Sequence, residues 1–368
     1  MTQQLHTESS APNNISPHFS EAFNDNCSSL EEDLLAVEKK LELGSQSLSV
    51  YPEKLSQRLI FAGGKRLRPM LLLLTYHAFV KKFASQQESL KLPKNLRRDD
   101  IQTLAAVAEW VHTATLFHDD VLDDSPTRRD KTAAHVLHGN KIAILVGDYV
   151  YAEAFHLLMQ RGLMYPSQRL AQTIKMLVDG ELLQHKMHLD RDLSQEKLIS
   201  VSEAKTASLF SWCTEMGAWC AGVNADLIKQ SQRLGANLGL AFQYADDMLD
   251  TYNDCEEKLG EERVQEWIES APPLPIVIAA KSNCEVHSLW KDLAKLDAFK
   301  EQKNCVLELV RAASEKSVVE ECKSWTESTL NVAREANEKT SCDAKITSAI
   351  DLISERARKG AQLAEEIS

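Results

Sequence analysis

The chain has 368 residues, and 43% of them are hydrophobic, so it can bury a substantial core in one large domain or two ordinary ones. Its formal net charge of −12 argues against a general nucleic-acid binder. Eight scattered cysteines without a Cys-x-x-Cys pair, and an N-terminus with neither a basic start nor an apolar core, predict a reduced cytoplasmic protein. We find no apolar run near the roughly 18 residues of a spanning helix, so no integral membrane protein is expected.

In chain order, residues 1–28 are rich in Ser, Asn and Pro and are expected to form a disordered tail. Apolar residues then recur with a helical period of 3.6, and strand-like alternation is almost absent. Residues 84–100 are polar and predict a loop or insertion between helices. The sequence therefore predicts an all-α fold with a single domain over residues 29–368. The clearest helical patterns cover residues 31–43, 101–122, 141–159, 171–187, 202–222, 227–254 and 296–315.

Two of the apolar helical segments carry the same acidic pattern, Asp-Asp-x-x-Asp. The first lies in FHDDVLDDSPTRR (117–129) and the second in FQYADDMLD (242–250). Residues four apart lie on nearly the same face of a helix, so the carboxylates of each pattern point the same way. The candidate ligands are Asp119, Asp120 and Asp123 in the first motif, and Asp246, Asp247 and Asp250 in the second.

Carboxylates at this density repel one another unless cations lie between them. Oxygen ligands without thiolates favour Mg²⁺, which commonly completes its coordination with substrate phosphates. A solvated helix end would explain one such cluster equally well. Two clusters with identical spacing on otherwise apolar helices favour a magnesium site that binds a phosphorylated substrate.

Basic residues complement the acidic motifs. The segment FAGGKRLRPML (61–71) places Lys65, Arg66 and Arg68 just before an apolar helix, which is typical of an anion site at a helix start. Arg128 and Arg129 follow the first acidic motif closely enough to bind a metal-held diphosphate. The alternatives are a charged loop tip for the first group and internal pairing with Asp123 or Asp124 for the second.

With these motifs the chain resembles the trans-isoprenyl diphosphate synthases, from about residue 50 to residue 285. Within that family it is most similar to the medium- and long-chain, octaprenyl-type enzymes. The resemblance implies an isoprenoid synthase fold, a bundle of roughly ten or more helices around a deep central cavity. It also implies a homodimer. The motifs that carry it are GGKRLRP, HDDVLDD with its following RR, GDYVYAEAF (147–155), GELLQ (180–184), KTASLF (205–210) and FQYADDMLD.

The resemblance also implies roles for individual residues. The substrates would be isopentenyl diphosphate and an allylic diphosphate, and the reaction would be a Mg²⁺-dependent, head-to-tail prenyl transfer. The isopentenyl diphosphate site would comprise Lys65, Arg68, His112 and Arg129. Without the resemblance, His112 would be interpreted as a core histidine on an apolar helix. Contacts to the allylic diphosphate would come from Arg128, Lys205, Thr206 and Gln243, and the six aspartates above would hold magnesium.

Product length is predicted from the helix that precedes the first acidic motif. Ala114 and Thr115 lie about 6 to 7.5 Å below Asp119 along the helix axis. In the family, bulky aromatic residues there close the pocket early, whereas both residues here are small. We therefore expect a medium-to-long polyprenyl product, with Phe155 or Met159 as the floor of the pocket.

The pattern departs from the family after the second acidic motif. The family usually has two Gly-Lys positions followed by Leu-Pro; here Leu274 and Pro275 are kept, but Glu261 and Ala271 stand at the lysine positions. Lys258 could substitute for one of them, or Glu261 could point to solvent. This departure raises the alternative of a catalytically weak or non-catalytic partner subunit. A terpene cyclase of the same fold is a separate alternative, although cyclases generally lack the second Asp-Asp-x-x-Asp motif and the GGKRLRP segment.

Overall fold

A computed structural model describes residues 28–43, 50–62, 66–85, 96–129, 131–254, 259–340 and 344–367. The predicted N-terminal tail lies outside these residues, except for Ser28, which begins the first helix. Most of the predicted loop at 84–100 also lies outside them. Its first residues end one helix and its last residues begin the next.

The described chain is almost entirely helical, so the predicted all-α class is confirmed. A two-stranded antiparallel hairpin, in which Thr127 pairs with Thr132, is the exception among the described residues. In chain order the elements are α1 (Ser28–Leu43), α2 (Val50–Ile60), α3 (Leu67–Ser85), α4 (Arg98–Leu122), β1 (Thr127–Arg128), β2 (Lys131–Thr132), α5 (Ala134–His138), α6 (Asn140–Gln160), α7 (Met164–Leu189), α8 (Gln195–Ser202), a π-helical turn (Glu203–Ala207), α9 (Ser208–Cys220), α10 (Ala225–Tyr252), α11 (Glu261–Glu269), α12 (Leu274–Ser282), α13 (Cys284–Leu293), α14 (Phe299–Ala313), α15 (Lys316–Thr340) and α16 (Ala344–Ile367).

Helix α10 lies at the centre of the bundle, packed against α9, α15 and α16. Its start is set by Asn224, whose side chain accepts a hydrogen bond from the backbone N–H of Leu227 at 2.9 Å. Gly235 and Gly239 allow a close approach of α9 and the π-helical turn. A Cβ at Gly235 would overlap Thr214. The main hydrophobic core extends from α1 to α16, and a smaller buried cluster comprises Phe79, Ala218, Ala221 and Val223.

Helix α6 is more apolar than the sequence analysis expected. By length and composition alone, Asn140–Gln160 could cross a membrane, although no run of that kind was predicted. A core helix passes the same test, and α6 packs against α4, α5 and α2. Three of its large apolar side chains, Ile144, Leu145 and Met159, are exposed, and they become relevant to assembly below.

The N-terminal helix α1 is held to the bundle by a buried carboxylate. Asp33 is 1% exposed and accepts hydrogen bonds from His77 at 2.8 Å, Arg98 at 2.6 Å and Gln102 at 2.7 Å. Burial alone would raise the pKa of Asp33, but these three donors outweigh burial, and the net shift is downward.

Replacing Asp33 by Asn is therefore expected to lower the free energy of unfolding by about 1–3 kcal/mol at pH 7. Because the pKa is lower in the folded state, the stabilisation is present above the unfolded value of about 3.9 and is lost as the pH falls through the folded value. Urea unfolding of both proteins at pH 7 and at successively lower pH measures this. If the difference in unfolding free energy between the two proteins stays constant at low pH, Asp33 does not have a lowered pKa in the folded state.

Candidate active site

The first acidic motif lies at the C-terminal end of α4, where the helix dipole is already unfavourable for negative charge. Asp119 is half-buried and Asp123 is exposed. Burial raises the pKa of Asp119 to about 7, opposed by Lys205 and reinforced by Glu181 and Asp123. The side chain of Asp119 has no hydrogen-bond donor among the described residues, so this carboxylate is available to a cation.

The second aspartate of that motif is paired inside the protein. Asp120 is only 2% exposed and accepts a hydrogen bond from Arg128 Nε at 2.6 Å. The β1–β2 hairpin turns Arg128 back toward α4, and Arg129 occupies the turn with φ 51°. The expected internal pairing of these arginines thus involves Asp120 rather than Asp123 or Asp124. Arg129 donates to the carbonyl of Leu59 at 3.0 Å.

The second acidic motif is part of a hydrogen-bonded chain on α10. Thr206 Oγ1 donates to Gln243 at 2.7 Å, and Gln243 Nε2 donates to Asp247 at 2.8 Å. Asp247 also accepts from the backbone N–H of Leu274 at 3.0 Å, at the start of α12. Burial raises the pKa of Asp247 to about 7, opposed by these donors and reinforced by Asp250. Thr206, Gln243 and the retained Leu-Pro segment therefore form one unit.

The other two aspartates of the second motif differ in their surroundings. Asp250 is exposed, and burial together with the neighbouring carboxylate of Asp246 raises its pKa. Asp246 is hydrogen-bonded by Arg356, which comes from α16, 110 residues later in the chain. The guanidinium of Arg356 also lies over the ring of Phe242, 5.3 Å from its centroid. The last helix, α16, thus supplies a positively charged guanidinium to this motif.

Lys205 lies between the two motifs. It belongs to the π-helical turn, an irregularity common at functional sites, and its Nζ is 2.5 Å from Glu181. Its charge lowers the pKa of both Asp119 and Asp123, against the effect of burial, and its side chain also borders the cavity that contains Asp247. One lysine therefore contributes positive potential to both halves of the site.

Gly180, the first residue of GELLQ, sets how closely α7 approaches this lysine. A Cβ at Gly180 would lie 2.7 Å from Ala204 Cβ and 3.0 Å from Lys205 Cγ. We expect Gly180→Ala to displace the π-helical turn. Turnover should fall about tenfold, because the charged group of Lys205 would be slightly misplaced. Steady-state kinetics and a thermal melt measure both effects. If the variant has the same turnover as the wild type, the close approach of α7 to Lys205 is not needed for catalysis.

Two of the basic residues predicted for the isopentenyl diphosphate site, Arg68 and Arg129, act electrostatically on His112. Burial, and the charges of Arg68, Arg129, Arg128 and Arg66, lower the pKa of His112 well below its usual value, so the imidazole is neutral at pH 7. Converging cations of this kind are an anion-binding arrangement, and a lone core histidine would not need them.

Arg68 is the basic residue best placed to bind an anion. Its guanidinium lies over the ring of Phe210, 5.2 Å from the centroid, and its buried Nε has no hydrogen-bond partner among the described residues. An unpaired buried donor of this charge is unfavourable until an acceptor arrives. Lys65, predicted for the same site, lies outside the described residues. Arg66 instead bonds to Glu38 and Glu109 and is structural.

Two cavities meet at Lys205. One, of about 320 Å³, lies between α7, α8, α10 and α11 and contains Thr206, Gln243, Asp247 and Asp250. The other, of about 350 Å³, lies between α4, α6 and α7 and contains Asp119. The walls of the second are mainly apolar: Val121, Leu122, Ile144, Tyr151, Leu177, Val178 and Leu182. A charged site beside an apolar chamber suits a ligand with an ionic head and a hydrocarbon tail.

Comparison with known proteins identifies the family. A model of the polyprenyl synthetase family matches residues 51–311. The chain belongs to the polyprenyl synthetase family. The matched range contains every predicted site residue, including both acidic motifs.

Curated relatives in the family are medium- and long-chain enzymes by name. The chain is 34% identical to the octaprenyl diphosphate synthase of Escherichia coli over 226 residues, which are 61% of this chain and 65% of that enzyme. It is 32% identical to the geranyl-diphosphate-specific all-trans-nonaprenyl-diphosphate synthase of Rhodobacter capsulatus, covering 68% of this chain and 72% of that one. The match thus spans a little under two thirds of the octaprenyl enzyme.

Solved structures show the same fold. A polyprenyl synthase from Caulobacter crescentus, complexed with calcium and isoprenyl diphosphate, is 31% identical with a TM-score of 0.74, covering 89% of this chain and 95% of that one. A decaprenyl diphosphate synthase from Rhodobacter capsulatus is 28% identical with a TM-score of 0.76, covering 93% and 99%. The predicted isoprenoid synthase fold is confirmed.

The carboxylates of the two motifs fit a hard divalent cation by donor type, since they offer oxygen atoms alone. Across the described ranges, however, no three Asp, Glu, His or Cys side chains converge as a ready-made metal site. Asp120, Asp246 and Asp247 are held by Arg128, Arg356 and Gln243. A site with few free carboxylates suits Mg²⁺, which takes its remaining ligands from phosphate and water.

The two residues predicted to set product length are separated by the structure. Thr115 borders the apolar cavity, whereas Ala114 is 0% exposed and belongs to the core. Of the two candidates for the floor, Phe155 packs against the core and Met159 is 51% exposed, and neither borders the cavity. Tyr151, one turn before Phe155, is the aromatic residue that does.

The described part of the segment that departs from the family pattern contains helix α11 (Glu261–Glu269). Glu261 is exposed in the first turn of α11, where an acidic residue interacts favourably with the helix dipole. Ala271 borders the cavity of Asp247 and Asp250, whereas Glu261 does not. Lys258 lies outside the described residues. The expectation that Glu261 could point to solvent thus agrees with its position.

Sequence analysis missed three charged residues of the site. Glu181, which pairs with Lys205, lies within the GELLQ motif, so the sequence could have indicated it as a site residue. Arg263 lies two residues after Glu261 in a segment that does not match the family pattern. Arg356 lies far outside every motif, and no local pattern could have linked it to Asp246.

Proposed function

We propose that this protein condenses isopentenyl diphosphate with an allylic prenyl diphosphate, head to tail, and releases diphosphate. The product is a medium-to-long trans-polyprenyl diphosphate. The observation that carries the proposal is the position of Lys205. It lowers the pKa of Asp119 and Asp123 in the first motif, and it borders both the charged cavity of the second motif and the apolar cavity. The names of the curated relatives and the calcium and isoprenyl diphosphate bound by the Caulobacter structure support it.

Asp119, Asp123 and Asp250 would hold Mg²⁺, which would supply Lewis-acid stabilisation of the diphosphate leaving group. Lys205 and Arg128 bind the departing diphosphate, which leaves with the bonding electrons. The oxygen atoms of Thr206 and Gln243, fixed by their mutual hydrogen bond, stabilise the allylic cation.

Isopentenyl diphosphate is held by Arg68, Arg129 and neutral His112, with Lys65 assigned by the family resemblance. Its double bond attacks the allylic carbon and forms the new carbon–carbon bond. The resulting tertiary cation then loses a proton to the released diphosphate, and the electrons of that C–H bond form the double bond of the product. The growing chain enters the apolar cavity past Thr115, where the hydrocarbon walls exclude water from the cation. The chain's own residues thus bind, orient and shield, and no protein nucleophile is used.

A direct assay tests this proposal. Purified protein is incubated with Mg²⁺, labelled isopentenyl diphosphate and farnesyl diphosphate, and the products are separated by chain length. Diphosphates longer than geranylgeranyl are expected. Cyclic hydrocarbons would instead indicate a terpene cyclase. Absence of turnover unless a second chain is added would indicate a partner subunit.

The proposed assembly is a homodimer in the cytoplasm, as the resemblance implies. Helices α6 and α7 expose large apolar side chains, and several of these also border the apolar cavity. A face of this kind is typical of a protein interface, and a second copy would cover the open side of the chamber. Sedimentation equilibrium of the purified chain tests the dimer. The exposed side chains are Ile144, Leu145, Met159, Met164, Met176, Val178, Leu182 and Leu189.

A further inference from the structure

We propose that Arg263 binds the allylic diphosphate, supplying the positive charge that the family's lysines supply from the positions of Glu261 and Ala271. This inference rests on the proposed function and names one more binding residue for it. Among the charged side chains that border the 320 Å³ cavity, Asp247, Asp250 and Glu266 are acidic, and Lys205 and Arg263 are basic. With Glu261 directed elsewhere, Arg263 is the second cation of this described wall.

Arg263 is fixed on one edge by a buried carboxylate. Its Nε lies 2.9 Å and 3.0 Å from the two oxygens of Asp254, and its Nη2 lies 2.8 Å from one of them. Asp254 is 4% exposed and also accepts a hydrogen bond from Trp267 Nε1 at 2.7 Å. Trp267 packs edge-on against Trp290. A guanidinium held this way is preorganised, so little side-chain entropy is lost when it binds an anion.

The other edge of the guanidinium faces the cavity. Nη1 donates to Glu266 at 2.5 Å, and Glu266 borders the cavity, whereas Asp254 does not. Glu266 has a side chain 47% exposed, and ion pairs with exposed partners are weak. Diphosphate oxygens can therefore displace Glu266 and take its place on Nη1, while Asp254 keeps the arginine in position.

The helical form of the departing segment supports this role. In α11, residues 263 and 267 lie on one helical face, and both border the cavity. Glu261 lies outside that wall at the exposed start of the helix. The segment therefore presents its cation from the first turn of α11, two residues after Glu261, rather than from the positions of the two lysines.

The first test is Arg263→Gln. We expect the KM for the allylic diphosphate to rise about tenfold or more, with the KM for isopentenyl diphosphate unchanged, because hydrogen bonds to charged groups carry this much binding energy. Titration calorimetry with inorganic diphosphate and Mg²⁺ should show the same loss of affinity, and Arg263→Lys should recover part of it. The calorimetry needs no turnover, so it separates this inference from the proposed reaction.

The matched control is Arg169→Gln. Arg169 has a side chain 33% exposed and binds buried Glu215 through Nε at 2.7 Å, which closely resembles the Arg263–Asp254 pair. It does not border the cavity. Arg169→Gln should lower the melting temperature as Arg263→Gln does, and leave both KM values unchanged. Equal kinetic effects in the two variants would overturn the proposal and assign Arg263 a structural role.

A second variant is expected to change affinity in the opposite direction. Glu266→Gln removes the carboxylate that competes for Nη1, so inorganic diphosphate and the allylic substrate should bind several-fold more tightly. Glu269→Gln, on the same exposed helix but away from the cavity, is the control and should have no effect. Unchanged or weaker binding in Glu266→Gln would overturn the displacement of Glu266 by diphosphate.

Discussion

Asp119→Asn is expected to lower kcat/KM by about a thousandfold or more, because it removes a carboxylate that positions the cation at the leaving diphosphate. Asp119 is the half-buried member of the first motif without a hydrogen-bond donor among the described residues, and it borders the apolar cavity. Asparagine has nearly the same shape as the aspartate that it replaces, but it carries no charge. Steady-state assays over a range of Mg²⁺ concentrations measure the loss, and excess Mg²⁺ should recover little of it.

Two controls make this result specific. Asp179→Asn removes an exposed carboxylate of α7, whose partner is Lys175 on the same helix, and should leave kcat/KM unchanged. Asp119→Asn itself should not lower the melting temperature, because it removes a buried charge that has no hydrogen-bond donor. A variant that melts normally and elongates normally would exclude Asp119 from the metal site.

Much of the fold was predictable because helical periodicity is a local property. The long apolar patterns became α4, α6, α7, α9 and α10, and the two acidic motifs fell on α4 and α10 as expected. The tiny β1–β2 hairpin was missed, because two-residue strands leave no alternation to detect. The apolar length of α6 was also underestimated.

The pairing of the charged residues was less predictable, because it depends on contacts between distant parts of the chain. Asp120 points to Arg128 rather than outward, and Asp246 meets Arg356 across 110 residues. Neither contact follows from spacing along one helix. Arg263 had no signal in the sequence, because it does not stand at either of the family's lysine positions. The fold of α11 brings it to the cavity.

The adjacent residues Ala114 and Thr115 of α4 have different surroundings, and only Thr115 borders the apolar cavity. Thr115 lies four residues before Asp119, about 6 Å deeper along the helix, and borders the apolar cavity. Thr115→Phe is therefore expected to block the path of the growing chain and shorten the product by one or more isoprene units. Product chain length, measured by chromatography against prenyl alcohol standards after dephosphorylation, checks this. Thr115→Val, which matches threonine in size, should leave the product unchanged.

Ala114→Phe, the substitution that the family pattern also suggests, is expected to act differently. Successive residues point about 100° apart around a helix, and Ala114 faces the closely packed core rather than the chamber. A phenylalanine there overfills the core and should destabilise the protein by about 1–3 kcal/mol. The signature is a lower melting temperature with little change in product length. If Ala114→Phe shortens the product and Thr115→Phe does not, the wall of the chamber must lie on the other side of α4.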